Sequence, residues 1–127
     1  MRAPSNSSKA KKREAYSDGL AAEELATQHY DRVLATRYRS EAGEIDLIAT
    51  SQHPLLGEVL VFAEVKKRRT LAEAAFALQP KQLARITASA ECWLAENPQH
   101  SSATCRFDAV LVDDQGQSQL IENAWTG

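Results

Sequence analysis

No apolar run in this chain of 127 residues approaches the roughly 20 residues that a helix needs to span a bilayer. The first stretch, MRAPSNSSKAKKREA, also lacks the apolar centre of a secretory signal. The expectation is a cytoplasmic protein with no membrane partner. Cysteine is scarce. Cys92 and Cys105 match no zinc spacing and fall on separate predicted elements, so both are read as buried small apolar residues rather than a disulfide. His29, His53 and His100 are scattered, and none stands at ligand spacing from a cysteine or another histidine, which argues against zinc. No small-molecule cofactor is expected. The net charge of −2 argues against a general nucleic-acid binder.

What is there is an ordinary globular composition, with 43% apolar and 25% charged residues. The length suits one domain with a core sufficient without disulfide or metal. Positive charge is uneven. Lys9, Lys11, Lys12 and Arg13 gather near the start, and Lys66, Lys67, Arg68 and Arg69 gather mid-chain. A local basic surface on a mildly acidic protein fits this distribution. Residues 1–15 are polar without apolar period and read as a disordered basic tail; residues 16–127 read as a single domain. The tail is either a solubilising extension or an arm that touches phosphates.

Ser17 or Asp18 can cap a first helix that carries Leu20, Glu23, Glu24 and Leu25 and ends near 29–31. Strands follow over 32–38, 44–49 and 58–66, the last two as a hairpin. The stretch 70–79 is ambiguous: its alanines favour helix, but a proline follows. Pro80 opens a helix with Leu83, Ile86, Ala90, Trp93 and Leu94 at helical spacing, stopped by Asn97-Pro98. Strands over 105–112 and 119–122 complete an α/β or α+β pattern around one mixed sheet.

Two of these strands carry charge in unexpected places. In VLVFAEVKKR, Val59, Val61, Ala63 and Val65 share one face, and Leu60, Phe62, Glu64 and Lys66 share the other. Both faces begin apolar, so the strand is expected to be covered on both sides. In GEIDLIAT, simple alternation groups Ile45, Leu47 and Ala49 on one face and Glu44, Asp46 and Ile48 on the other. A buried carboxylate is costly unless it is paired, hydrogen-bonded or bound to a metal. One reading leaves Glu64 and Lys66 facing water at a strand end, with Asp46 paired to Lys66. The other joins an acid on one strand with acid-x-Lys on its neighbour, a set suited to metal-dependent phosphodiester hydrolysis.

The segment Gly43-Glu-Ile-Asp-Leu-Ile-Ala49 followed by Val61-Phe-Ala-Glu-Val-Lys66-Lys-Arg68 resembles the signature of the YraN family. That family belongs to the restriction-endonuclease-like, or PD-(D/E)XK, superfamily and is similar to archaeal Holliday-junction resolvases. Gly19-Leu-Ala-Ala-Glu23, Lys81-Gln82 and Arg106-Phe-Asp108 resemble further family features, so the likeness covers most of 19–123. Ile45-Asp46 stands where the superfamily name has Pro-Asp, Ala22 where the family has glycine, and Ala63 where it has valine. The connection around His29–Val33 is shorter than the family's and lacks its glycine.

The resemblance implies an α/β restriction-endonuclease-like core, with a mixed central sheet flanked by helices in the order helix, three strands, helix, strand. It implies a nuclease that hydrolyses DNA with Mg²⁺ or Mn²⁺, on branched or single-stranded substrates. Asp46 and Glu64 are the implied metal ligands and Lys66 the catalytic lysine. Glu23 could complete the site, the Val65 backbone carbonyl is an extra ligand candidate, and Glu44 stands close behind. Lys67, Arg68, Lys81 and Arg85 are candidates to hold phosphates. A homodimer would suit two cuts at a junction. A nucleic-acid-binding module of the same fold without catalysis is the alternative. A protein-interaction adaptor, supported only by Trp125 and the tail, ranks last.

Overall fold

Val59 to Glu64 form an unbroken buried run, the mark of a strand covered on both faces. The computed structural model describes residues 19–126, and this strand lies at the centre of its sheet. The expected basic tail and the Ser17 or Asp18 cap lie outside the described residues. Helix α1 covers 19–27. It is followed by β1 (Arg32–Ser40), β2 (Gly43–His53) and β3 (Gly57–Lys67). Helices α2 (Leu71–Phe76) and α3 (Pro80–Glu96), a 3-10 turn at Pro98–His100, β4 (Thr104–Val112) and β5 (Ser118–Trp125) complete the chain.

The strands lie in the order β1-β2-β3-β4-β5. β3 and β4 are parallel and the other pairs antiparallel, so the sheet is mixed. On one face, Ala22 and Ala26 of α1 pack against Leu47, Ala49, Val61, Ala63 and Val110. On the other, Ile86, Ala90 and Trp93 of α3 pack against Ile45, Ile48, Leu60 and Phe62. The order helix, three strands, helix, strand implied by the resemblance is therefore present, with α2 as a short addition. No helix among the described residues is long and apolar enough to cross a membrane.

Helix α3 forms where Pro80 supplies its first turn and stops where Asn97 donates its side-chain amide to the Trp93 carbonyl at 2.8 Å. Helix α2 resolves the ambiguous stretch: Thr70 Oγ1 accepts the Glu73 N–H at 3.1 Å, the N-terminal half of a capping box. Gly43 lets the β1–β2 turn approach α3 closely, because a Cβ there would lie 3.2 Å from Arg85 Cβ.

Four expectations need correction. Ile45 packs with Ile48 on the α3 side, while Leu47 and Ala49 face α1, so alternation fails between Ile45 and Ile48. The first helix stops at residue 27, two or more residues early, because 28–31 turn tightly into β1. Cys105 is exposed and Cys92 half-buried, both as free thiols, since neither faces the centre of a packed layer. Trp125 is not an exposed docking residue. It is half-buried, stacks on Phe107 at 5.3 Å and donates Nε1–H to Thr87 at 3.2 Å.

Candidate active site

The pairing of β2 with β3 runs from His53↔Gly57 to Leu47↔Ala63. Just beyond it, Asp46 Oδ2 accepts the Val65 N–H at 2.8 Å. A side-chain carboxylate thus takes the place of a carbonyl acceptor where the ladder ends. This position follows the break in alternation, and it sets the Asp46 and Glu64 carboxyls beside each other.

Glu64 is 4% exposed. Its Oε1 accepts a hydrogen bond from Gln82 Nε2 of α3 at 3.0 Å and lies 3.3 Å from Lys66 Nζ. The same-face relation of Glu64 and Lys66 therefore holds, but neither simply faces water: both side chains are largely buried. Lys66 forms its ion pair with Glu64.

Burial pushes the Glu64 carboxyl up to about 8, the Asp46 charge adds to the rise, and Lys66 opposes it. Burial also raises Asp46, against the stabilising Val65 N–H, with the Glu23 and Glu44 charges adding to the rise. Two ionised carboxylates side by side repel each other, and a proton kept on one of them relieves that repulsion. Bringing a divalent cation to these oxygens would relieve the same crowding without the proton. Oxygen donors from one or two carboxylates are what Mg²⁺ ordinarily takes from protein, so the donor set fits such an ion.

Glu23 of α1 lines a cleft of about 400 Å³ together with Asp46, Val65, Lys67, Arg68 and Arg69. Its Oε1 lies 3.0 Å from Arg37 Nε. Arg37 stands opposite Asp46, between the register pairs Thr36↔Leu47 and Tyr38↔Ile45. Its φ of 52° is left-handed within a strand, a conformation a non-glycine residue adopts at a cost of about 1 kcal/mol or more. Glu44 is exposed and pairs with Arg39 at 3.3 Å, at the margin of the site.

The candidate phosphate ligands divide. Lys67 and Arg68 line the cleft, with Lys67 3.9 Å from Asp114. Lys81 and Arg85 are exposed on α3 and do not line it; Lys81 directly precedes Gln82, and Arg85 lies against the Gly43 turn. Among the described residues, no group of three or more His, Cys, Asp or Glu gathers at metal-holding distance. Sequence reasoning gave no role to Gln82, Arg37 or Arg69. Gln82 carries a signal as part of the Lys81-Gln82 likeness and Arg69 as part of the mid-chain basic cluster, whereas Arg37 carries none.

A second buried acid serves a different end. Asp108 of β4 is fully buried and accepts from Tyr30 Oη at 2.8 Å, Arg106 Nε at 2.8 Å, an Arg106 terminal nitrogen at 2.9 Å and the Asn123 N–H at 2.9 Å. Burial, with Asp108 beside it, raises the Tyr30 hydroxyl far above its ordinary range. This cluster ties the turn between α1 and β1 to β4 and β5.

Residues 18–112 match the model of a family described as "Uncharacterised protein family UPF0102". The chain is 41% identical to a UPF0102 protein of Azorhizobium caulinodans, over 96% of this chain and 92% of that one. It is 39% identical to the UPF0102 protein RPA0323 of Rhodopseudomonas palustris, over 77% and 75% of the two chains. It is 40% identical to the UPF0102 protein SPO0400 of Ruegeria pomeroyi, over 84% and 86%. The match covers both acid-bearing strands, Gln82 and Asp108, and the YraN-like signature noted in the sequence agrees with it: the chain belongs to the UPF0102 family.

Proposed function

We propose that this protein is a metal-dependent nuclease of the restriction-endonuclease-like class that hydrolyses phosphodiester bonds in DNA. The observation that carries the reading is the pairing of half-buried Asp46 with buried Glu64 where β2 and β3 part, with Lys66 on a Glu64 oxygen. A purely structural site would be expected to surround a buried carboxylate with donors, as happens around Asp108. Here a second carboxylate faces the first.

Asp46 and Glu64 would hold Mg²⁺ or Mn²⁺, with the Val65 carbonyl as a further ligand and Glu23 as an additional acid across the cleft. When bound, such an ion lowers the pKa of water and offsets phosphate charge. Val65 N–H fixes one Asp46 oxygen, and Gln82 fixes one Glu64 oxygen, so both acids are oriented before substrate arrives. Lys66 supplies a preorganised positive charge toward the attacking water or the phosphate oxygen. Lys67 and Arg68 at the cleft, and Lys81 and Arg85 on the α3 side, would hold flanking phosphates. Glu44 would act from behind Asp46.

A second reading, a DNA-binding module of the same fold without catalysis, draws on the Arg37–Glu23 ion pair, which commits the third acid elsewhere. Cleavage of linear, flapped and four-way DNAs with Mg²⁺, Mn²⁺ and EDTA separates the two. Cleavage with either metal, abolished by EDTA and by Asp46→Asn, is the expected result. DNA binding without cleavage in any metal supports the second reading.

A further inference from the structure

The chain leaves the candidate site at Lys66 and returns to it at Gln82. Lys66 Nζ lies 3.3 Å, and Gln82 Nε2 3.0 Å, from the same Glu64 oxygen. The residues between form an excursion tethered at both ends to one carboxylate. Within it, α2 buries Ala74 and packs on β3 and β4. Its last residue, Phe76, is 86% exposed. Every other aromatic side chain among the described residues is buried or half-buried.

An exposed phenylalanine leaves the burial of its ring unrealised in the free protein. The exposed chains Arg68 and Lys81 bracket this helix in sequence, and Arg69 is exposed beside its N-cap. The six residue-to-residue steps from Phe76 to Gln82 span at most about 21 Å even when extended. Arg69 is paired with Glu73 at 2.8 Å, but an exposed ring a short chain distance from the site, with exposed Arg68 and Lys81 on either side in sequence, matches the parts that bind single-stranded nucleic acid: a flat face for a base and positive charge for the backbone. Leu20 and Val33 are only marginally exposed, and the two other strongly exposed apolar residues, Leu55 and Leu56, sit on the β2–β3 hairpin at the opposite end of β3, without that basic setting.

We propose that Phe76 is a base-stacking platform, and that the preferred substrate carries an unpaired base close to the cut phosphate. This rests on the nuclease reading and narrows it to flapped, forked or single-stranded DNA over blunt duplex.

The test is equilibrium binding of the full chain, in Ca²⁺, to a labelled flap DNA carrying 2-aminopurine in the unpaired strand and to a blunt duplex. Wild type, Phe76→Ala, Phe76→Leu and Phe76→Trp are compared, with thermal melts and sedimentation velocity in parallel. Phe76→Ala and Phe76→Leu should each weaken flap binding about tenfold and relieve 2-aminopurine quenching, with duplex binding unchanged. Phe76→Trp should retain both. Wild-type flap affinity in Phe76→Ala overturns the stacking role, as does full affinity in Phe76→Leu. If Phe76→Ala instead turns a dimer into a monomer, the ring contacts a second copy and the proposal is wrong. A wild type that binds neither DNA overturns the nuclease reading itself, whereas flap binding insensitive to Phe76 overturns only this inference.

Discussion

Two buried acids one strand apart, Glu64 on β3 and Asp108 on β4, receive opposite treatment. Asp108 has a donor on every side: a tyrosine hydroxyl, an arginine fork and a backbone N–H. Glu64 has one lysine, one amide and another carboxyl. The first arrangement joins elements of the fold. The second sets carboxyl against carboxyl where two strands part, beside the cleft that Asp46 lines. The contrast separates an acid that the fold uses from an acid that the fold tolerates.

The sharpest way to break the comparison is to remove each acid and measure stability. Asp108→Ala strands Arg106 and Tyr30 without their acceptor, and urea unfolding should show a loss of about 3–5 kcal/mol. Glu64→Gln and Asp46→Asn relieve repulsion and should leave metal-free stability unchanged or higher. Equal losses at both sites would erase the distinction.

Lys66 and Lys67 sharpen it at the level of chemistry. Lys66→Ala removes the charge beside Glu64 and should slow single-turnover DNA cleavage by about 100-fold or more. Lys67→Ala, whose side chain turns to the cleft on the other face, should cost far less in the chemical step. Equal rates would make Glu64 and Lys66 a structural pair.

The pH dependence has a definite sign. The folded Glu64 carboxyl is raised from 4.5 to about 8, so between these values the folded protein keeps a proton that the unfolded chain has lost. Its contribution to stability is full below pH 4.5 and disappears as pH rises through about 8. Metal-free protein should therefore lose stability across that window in urea melts, and Glu64→Gln should flatten the slope. A slope unchanged in Glu64→Gln would place the titrating group elsewhere.

The smallest effect concerns Arg37. Glycine accepts the left-handed backbone that alanine resists, so Arg37→Gly should be more stable than Arg37→Ala by about 1 kcal/mol, although both lose the ion pair with Glu23. Matching stabilities would deny the strain.

Much of this contrast was legible in the residues. The two covered faces of β3 follow from its unbroken apolar run, and the same-face relation of Glu64 and Lys66 follows from alternation, which holds through that strand. In β2 alternation fails, so period counting grouped Ile45 with Leu47 and set Asp46 beside Ile48. The failure has a local cause, a carboxylate replacing a ladder acceptor at Val65, that composition does not announce. The Gln82–Glu64 contact spans 18 residues of sequence. The left-handed backbone of Arg37 has no local signature either, because arginine has no preference for that region. Asp108 was noticed only as part of Arg-Phe-Asp, since its partners Tyr30 and Asn123 come from distant elements.

The central claim is that Asp46 and Glu64 together hold a divalent cation, and calorimetric titration of Mn²⁺ into the full chain tests it most directly. Wild-type protein should bind Mn²⁺ with a measurable heat at a single site. Asp46→Asn and Glu64→Gln should each weaken that binding strongly while Asp114→Asn, on the cleft rim, leaves it unchanged. Wild-type affinity in both carboxylate variants, or no Mn²⁺ binding by the wild type, would contradict the account.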